Sequence, residues 1–248
     1  MSVQPALDDA VRGTRTWTPE ALAALPDPTL RHETRISVTT ERTQAAARRL
    51  VVDEGEEDVV LLSFASARNV CGGFLNGARA QEEDLARCSG LYACLSPQGD
   101  YYAANREEST LLYTDHMIHA PRVPFFRAKN RDLLPTPYCA SVITAPAPNA
   151  GQALRRDPNI GAALTVARRR RADRVLRLAA AEGHPVVVLG AWGCGVFQNS
   201  PAETAAVFHE LLAGTFAGVF SRVVLAVYDP SKRKRTLQAF QAAFTAQP

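Results

Sequence analysis

Short apolar runs alternate with longer amphipathic stretches along most of this chain. Each run is nearly continuous in apolar residues and rich in β-branched ones, which is typical of strands buried on both faces. The stretches between them have helical spacing and predict helices. The predicted strands lie in 56–66, 109–120, 138–147, 184–192 and 221–229, and the predicted helices in 41–51, Gln81–Ser89, Ile160–Glu182, Glu203–Phe216 and Arg233–Phe244. This alternation predicts an α/β domain with helices layered on a largely parallel or mixed sheet.

The first 38 residues have a different character, because they are rich in proline, threonine and charged residues. One helical piece is expected at Pro19–Leu25, where proline suits a first turn. We therefore predict an N-terminal arm at 1–38, packed on a single catalytic unit at 39–248.

Composition narrows the class of protein. A chain of 248 residues with 46% apolar and 21% charged residues is long enough for one large, well-buried domain. Its net charge of +3 falls well short of a nucleic-acid-binding signature. The five cysteines form no CxxC pair, so we expect reduced thiols and a cytoplasmic protein. We expect no membrane span, because no apolar run reaches the roughly 18 residues that a span needs.

Two clusters of basic residues invite a nucleic-acid interpretation. Arg168–Arg171 interrupt a helix whose apolar residues recur at helical spacing, so we expect these arginines to lie mostly on the solvated face. The same interpretation applies to Lys232–Arg235. We therefore predict no direct binding of DNA.

Two glycine-containing loops follow predicted strands and precede predicted helices. Loop one (residues 69–80) reads NVCGGFLNGARA and leads into a helix that opens on Gln-Glu-Glu; loop two (residues 189–201) reads LGAWGCGVFQNSP. Glycine lets the backbone approach a ligand closely, and a helix start offers free N–H groups to an anion. Each loop alone could be a tight turn, but two at strand ends of one sheet favour an anionic ligand.

Other catalytic patterns are absent from the sequence. It contains no GxSxG, no HExxH and no CxxC. His116 and His119 fall in a predicted strand, where residues three apart point to opposite faces, so a shared metal is not expected. We predict neither a metal nor a cofactor.

Three segments together closely resemble the bacterial-type poly(ADP-ribose) glycohydrolases, a divergent macrodomain family. They are RNVCGGFLNGARAQEE, VITAPAPNAG and LGAWGCGVFQN. The resemblance runs from about Thr34 to the last helix and implies a three-layer α/β/α macrodomain-like mixed sheet with an N-terminal extension. In one departure from the family, Cys71 replaces the first glycine of a triple-glycine motif. If that position needs a positive φ, the loop is expected to shift, since non-glycine residues are disfavoured there.

The resemblance implies cleavage of ribose–ribose O-glycosidic bonds in poly(ADP-ribose), with release of ADP-ribose. Glu83 would be general acid and then general base, and Glu82 would position the neighbouring ribose. Phe197 would press on the distal ribose. The remaining substrate-binding residues implied are Asn69, Gly72, Gly73, Phe74, Gln81, Gly193, Cys194, Gly195 and Val196.

Two other functions stay open on the residues alone. The chain could be a reader that binds ADP-ribose without cleaving it, or a hydrolase of mono-ADP-ribose on protein side chains. The expected partners are poly(ADP-ribose) or ADP-ribose and poly(ADP-ribosyl)ated proteins, in a DNA-damage setting, and a monomer is expected.

Overall fold

The computed structural model describes residues 2–128 and 132–245. The strands are β1 (Arg15–Trp17), β2 (Arg35–Thr39), β3 (Val59–Phe64), β4 (Met117–Arg127), β5 (Leu133–Ala145), β6 (Val186–Gly190) and β7 (Arg222–Ala226). The helices are α1 (Gln4–Gly13), α2 (Pro19–Ala23), α3 (Thr43–Arg48), α4 (Gln81–Cys88), α5 (Leu91–Leu95), α6 (Gly99–Glu107), α7 (Ala150–Arg156), α8 (Gly161–Ala181), α9 (Pro201–Ala213) and α10 (Arg235–Thr245). A π-helical turn, Arg49–Asp53, extends α3, and a 3-10 turn, Phe74–Asn76, lies within loop one.

The strands form one mixed sheet in the order β1-β4-β5-β3-β6-β7-β2 within the described residues. Strands β5, β3, β6, β7 and β2 run parallel to one another, whereas β4 runs antiparallel to β5 and β1 antiparallel to β4. The carboxyl ends of β3, β6 and β7 therefore meet at one edge, which is where ligands bind in open α/β sheets.

Helices cover both faces of this sheet, as the α/β prediction required. Along β6, Val187 and Leu189 join the core cluster formed with α8, α9 and α10. The alternate residues Val186 and Val188 join the cluster formed with α3, α4 and α5. Side chains of a strand alternate between the faces, so a continuous apolar run supplies both cores. The three-layer architecture predicted from the sequence is confirmed.

The first 38 residues contribute more regular structure than their composition indicated. They contain α1, β1, α2 and most of β2, and the two strands occupy opposite edges of the sheet. Thr34 anchors the start of β2, because its hydroxyl donates to the Phe220 carbonyl at 2.7 Å. The division into an arm and a unit at 39–248 stays a prediction.

The predicted strand at 109–120 is wrong over its first part. Strand β4 begins only at Met117 and continues to Arg127. Residues Leu111 and Tyr113 have φ of 64° and 60°, which no strand accommodates. A buried arginine in α8 binds the carbonyls of this segment, as described below, so apolar composition alone misled the prediction.

The expectation for Arg168–Arg171 is half wrong. Arg169 and Arg170 are exposed, but Arg168 and Arg171 are buried, at 3% and 0% exposure. Both buried guanidinium groups have carboxylate partners, Glu203 and Asp115 respectively. Paired arginine can be buried where a lone charge cannot. Lys232–Arg235 are exposed, as predicted.

Among the described residues, no helix combines the length and apolar character needed to cross a bilayer. All five cysteines are free thiols.

Candidate active site

A cleft of about 700 Å³ opens at the carboxyl ends of β3, β6 and β7. Its walls come from loop one, the start of α4, loop two and the segment after β7. Clefts of this size hold small organic ligands. Of the predicted site residues, Asn69, Gly72, Gly73, Gln81, Glu82, Glu83, Gly193, Cys194, Gly195, Val196 and Phe197 line it.

Glu83 is held by two backbone amides from loop one. The Gly73 N–H donates to Oε1 at 2.9 Å, and the Ala80 N–H donates to Oε2 at 3.0 Å. The second bond satisfies a free amide at the start of α4, since Glu83 is its third residue. The carboxyl is thus buried and fixed in direction, yet it still lines the cleft.

Glu82 is even more deeply buried, at 3% exposure. Its Oε2 accepts from the Ser66 N–H at 2.7 Å, whereas its Oε1 has no hydrogen-bond partner among the described residues. Burial raises the pKa of Glu82 well above its ordinary value; the Ser66 amide opposes this, and the nearby charge of Glu83 adds to it. The surroundings of Glu82 therefore favour its neutral, protonated form.

The two carboxylates converge although their residues are neighbours on a helix. A Cβ placed on Gly72 would lie 2.5 Å from Glu83 Oε1 and 3.0 Å from Glu82 Oε2. Gly72 therefore leaves the space that both carboxylates occupy. Its own N–H donates to the Asn69 carbonyl, and the Gly73 N–H is taken by Glu83, so neither amide is free for a ligand.

Cys71 adopts a positive φ, the conformation that is disfavoured for residues other than glycine. Its φ is 50° and its side chain is completely buried, in the core cluster beneath loop one. The loop does not shift to avoid the positive φ at this position. Cysteine takes the left-handed conformation that glycine would adopt more easily.

Gln81 ties the start of α4 to the end of β3. Its Oε1 accepts from the Phe64 N–H at 2.8 Å, and its Nε2 donates to the Leu62 carbonyl and the Thr43 hydroxyl. All its polar atoms thus have protein partners. The structure supports a positioning role for Gln81 and leaves its predicted substrate contact untested.

Asn69 and Phe74, at the two ends of loop one's glycines, have different surroundings. Asn69 is exposed at the cleft, with its N–H bonded to the Ser66 hydroxyl. Phe74 packs on Tyr92 with ring centroids 5.5 Å apart, and it does not line the cleft. The structure therefore does not bring Phe74 to the ligand side as predicted.

Loop two presents a row of unused backbone donors. Within the described part of the chain, no acceptor binds the N–H groups of Gly193, Gly195, Val196 and Phe197. Cys194 differs, because its N–H donates to the Ala191 carbonyl and its thiol lies 3.6 Å from the Thr204 hydroxyl. Burial raises the pKa of the Cys194 thiol to about 11. Free amides on a glycine-rich loop ahead of a helix form an anion cradle, to which Cys194 contributes shape only.

Asn199 fixes the conformation of loop two. Its Nδ2 donates to the carbonyls of Gly193 and Pro148, at 3.1 and 2.8 Å. Gly193 has φ of 73°, and a Cβ there would lie 2.5 Å from Asn199 Nδ2. Buried Arg168 holds Asn199 in turn through a 3.4 Å bond to Oδ1. Sequence reasoning missed both residues, because neither stands in a recognisable motif.

Arg171 is the second buried support of the site. It donates to the carbonyls of Leu112, Tyr113 and Pro146 and to Asp115 Oδ1, at 2.8–2.9 Å. Tyr113, held in this way, packs on Phe197 with ring centroids 5.9 Å apart. The predicted ribose contact of Phe197 thus has an aromatic support that is anchored to α8.

Asp115 balances this cluster of arginines. Its burial favours the neutral form, but the hydrogen bond from Arg170 and the charges of Arg171 and Arg174 outweigh it, so the pKa of Asp115 lies below its ordinary value. The ionised Asp115 therefore neutralises the buried guanidinium of Arg171.

The end of the cleft at β7 carries an aromatic ring and a cation. The Arg42 guanidinium lies 4.0 Å from the Tyr228 ring centroid and pairs with Asp84. Asp229 follows, but its carboxylate accepts from the amides of Thr236 and Leu237 at the start of α10. Phe240, on α10, is fully buried.

Within the described residues, no histidine lines the cleft. His119 Nε2 lies 3.0 Å from His184 Nε2, while His116 Nδ1 contacts the Thr114 hydroxyl. Within residues 2–128 and 132–245, no three His, Cys, Asp or Glu side chains are grouped as a metal site.

The protein has a macrodomain-like fold. A mixed sheet lies between two layers of helices, and the paired glutamates and the anion cradle lie at the carboxyl ends of its parallel strands. Comparison with known proteins agrees. The family described as microbial-type PARG (poly(ADP-ribose) glycohydrolase), catalytic domain, matches residues 1–128. Together with the structural relatives below, this match shows that the chain belongs to the microbial-type PARG family.

Solved structures match nearly the whole chain. The poly(ADP-ribose) glycohydrolase of Deinococcus radiodurans in complex with ADP-ribose is 46% identical over 98% of this chain and 99% of that one, with a TM-score of 0.93. The enzyme of Thermomonospora curvata is 45% identical over 97% of this chain and 89% of that one, with a TM-score of 0.91. A complex of the latter with the inhibitor ADP-HPD gives a TM-score of 0.89, at 45% identity over 97% and 88%. No match is found among curated proteins.

Proposed function

We propose that this protein hydrolyses the ribose–ribose O-glycosidic bond of poly(ADP-ribose) and releases ADP-ribose. The observation that carries the proposal is the convergence of Glu82 and Glu83 beside Gly72, in one cleft with the free amides of loop two. Relatives at 45–46% identity over nearly the whole chain are poly(ADP-ribose) glycohydrolases.

Glu83 is the proton carrier in this proposal. In the first step, protonated Glu83 gives its proton to the bridging oxygen while the bond from the distal ribose C1″ to that oxygen breaks. The shortened polymer leaves as an alcohol. In the second step, water adds to C1″ and the Glu83 carboxylate takes its proton, which restores the starting state.

The ribose carries positive charge between these steps. The diphosphate of the same ADP-ribose unit, bound to the amides of Gly195, Val196 and Phe197, supplies the nearby negative charge. Fixed donors of this kind cost no reorganisation during the reaction. Both carboxyls stand on the same side of the cleft, so Glu82 does not oppose Glu83 as in two-carboxylate glycosidases. Glu82, which lines the same cleft, instead positions the neighbouring ribose through hydrogen bonds.

The proposal extends to the partners, the oligomeric state and the cellular compartment of the protein. We infer that the polymer is carried on poly(ADP-ribosyl)ated proteins and that the protein acts as a monomer in the cytoplasm. Free thiols at all five cysteines support a reducing compartment.

The decisive experiment compares intact protein with Glu83→Gln in release of ADP-ribose from purified polymer, with ADP-ribose binding measured for both. Loss of a general acid-base is expected to lower turnover by about 10²–10⁴-fold. Binding should persist, because glutamine keeps the size and shape of the glutamate side chain. The control is Glu210→Gln, on an exposed face of α9.

Each other outcome has a distinct meaning. Tight binding of ADP-ribose by the intact protein without any turnover of polymer makes it a reader. Turnover of ADP-ribose linked to protein side chains, and not of polymer, makes it a mono-ADP-ribose hydrolase.

A further inference from the structure

Two arginines line the cleft, and they differ in their partners. Arg42 pairs with Asp84 and covers the Tyr228 ring. Arg79 is exposed on the rim, and within the described residues no carboxylate or ring engages it. Nearby Arg87 is also paired, with Asp84. Arg79 is therefore the cleft-lining guanidinium whose charge is available to a ligand.

Arg79 stands at the catalytic end of the cleft. It lies four residues before Glu83 and next to Ala80, whose N–H holds the Glu83 carboxyl. The cradle amides of loop two follow β6. Because β3 and β6 are adjacent and parallel, the cleft passes from Glu83 beside loop one to the cradle of loop two.

This order places the remainder of the polymer. On the proposed function, the reacting ribose lies at Glu83 and its own diphosphate lies over loop two. The rest of the chain is attached through the bond that breaks, so it leaves the cleft on the side of loop one. Its first group is an adenosine whose own 5′ carbon bears the next diphosphate.

We propose that Arg79 binds the diphosphate of this leaving unit and so selects polymer over ADP-ribose attached to a neutral group. A guanidinium pairs with phosphate through two parallel hydrogen bonds, and lysine replaces this geometry poorly. On the same wall, Asp84 already holds Arg42 and Arg87 in ion pairs. Arg79 is therefore the cation on this rim that remains for the second diphosphate. This inference rests on the proposed function.

The test uses Arg79→Gln and Arg79→Lys with two substrates. One is purified poly(ADP-ribose), and the other is ADP-ribose linked at C1″ to 4-nitrophenol, whose leaving group carries no phosphate. The control is Arg31→Gln, an exposed arginine beside Gly183 and Pro185 at the opposite, amino end of β6.

For polymer, Arg79→Gln is expected to lower kcat/KM about tenfold, mainly through KM, as loss of one charge-assisted pair implies. The slope of log kcat/KM against log salt concentration should become shallower by about 0.7, the value per contact for single-stranded polyanions. Arg79→Lys should keep the salt slope of the intact protein and reverse part of the increase in KM. Hydrolysis of the nitrophenyl compound and binding of ADP-ribose should be unchanged in all variants.

Two results would overturn the inference. Equal losses on both substrates would place Arg79 on the bound unit, and no loss on either would make it an ordinary surface arginine. Failure of the proposed function is separate, since the intact protein would then leave the polymer uncleaved.

Discussion

Glu83 and Gly72 share one small volume: a Cβ on residue 72 would stand 2.5 Å from Glu83 Oε1. The φ of 60° at Gly72 adds a backbone reason for glycine. The position of the Glu83 carboxyl thus depends on the missing side chain at residue 72 as well as on its two amide donors.

Gly72→Ala is expected to lower polymer hydrolysis by about 10²-fold while the protein still folds. The methyl group must displace the Glu83 carboxyl from its place, and a misplacement of about 1 Å can cost 10²-fold in rate. Turnover is measured together with circular dichroism. Gly77→Ala, also at positive φ but with open space around it, serves as the control. Activity near that of the control would show that Glu83 tolerates displacement.

At position 71, replacement by glycine should leave the protein more stable than replacement by alanine, the reverse of the usual order. Cys71→Gly relieves a positive φ worth about 1–2 kcal/mol and loses a small buried side chain of similar value, so stability should change little. Cys71→Ala keeps the backbone strain and loses the sulfur, so it should be less stable than Cys71→Gly. Urea unfolding of the three proteins measures this. If alanine proves the more stable replacement, the strain at position 71 is negligible.

Glu82 makes stability depend on pH. Its pKa is raised in the folded state, so its contribution is full below the unfolded value, about 4.3, and declines as pH rises toward the folded pKa. Glu82→Gln removes this dependence, because its side chain resembles the protonated acid.

Thermal unfolding from pH 4 to 9 tests this expectation. The Tm of Glu82→Gln should match that of the intact protein near pH 4 and exceed it increasingly at higher pH. Each kcal/mol corresponds to about 2–4 °C for a chain of this size. A constant difference across the range would mean that Glu82 is ionised without cost in the fold.

Arg171 should be far more sensitive to substitution than its neighbour. Arg171→Lys cannot reach three carbonyls and Asp115 together, and a loss of about 3–5 kcal/mol in unfolding free energy is expected for a broken buried pair. Arg169→Lys, at an exposed pair with Glu210, should cost under about 0.5 kcal/mol. Chemical denaturation of both proteins measures the two losses in unfolding free energy. Similar small losses would show that the loops around Tyr113 hold without Arg171.

Much of the architecture could be predicted, because buried parallel strands have nearly continuous apolar sequences. The predictions for β3, β6 and β7 and for the helices α4, α8 and α9 lie close to their true bounds. Short strands such as β1 and the segment around Tyr113 escape prediction, since tertiary contacts with distant residues shape them. In the site, the glycine loops and Glu83 could be predicted because they stand in a sequence motif. Arg168, Arg171 and Asn199 could not, because they act through contacts that no local pattern encodes.

The placement of β2 also has a consequence for the timing of folding. Thr34 bonds a carbonyl 186 residues further along, and β2 has β7 as its only neighbour within the described sheet. During synthesis, β2 leaves the ribosome early, yet it must wait until β7 has been made. That edge of the sheet therefore closes late, after the cleft-forming strands β3 and β6 have already met.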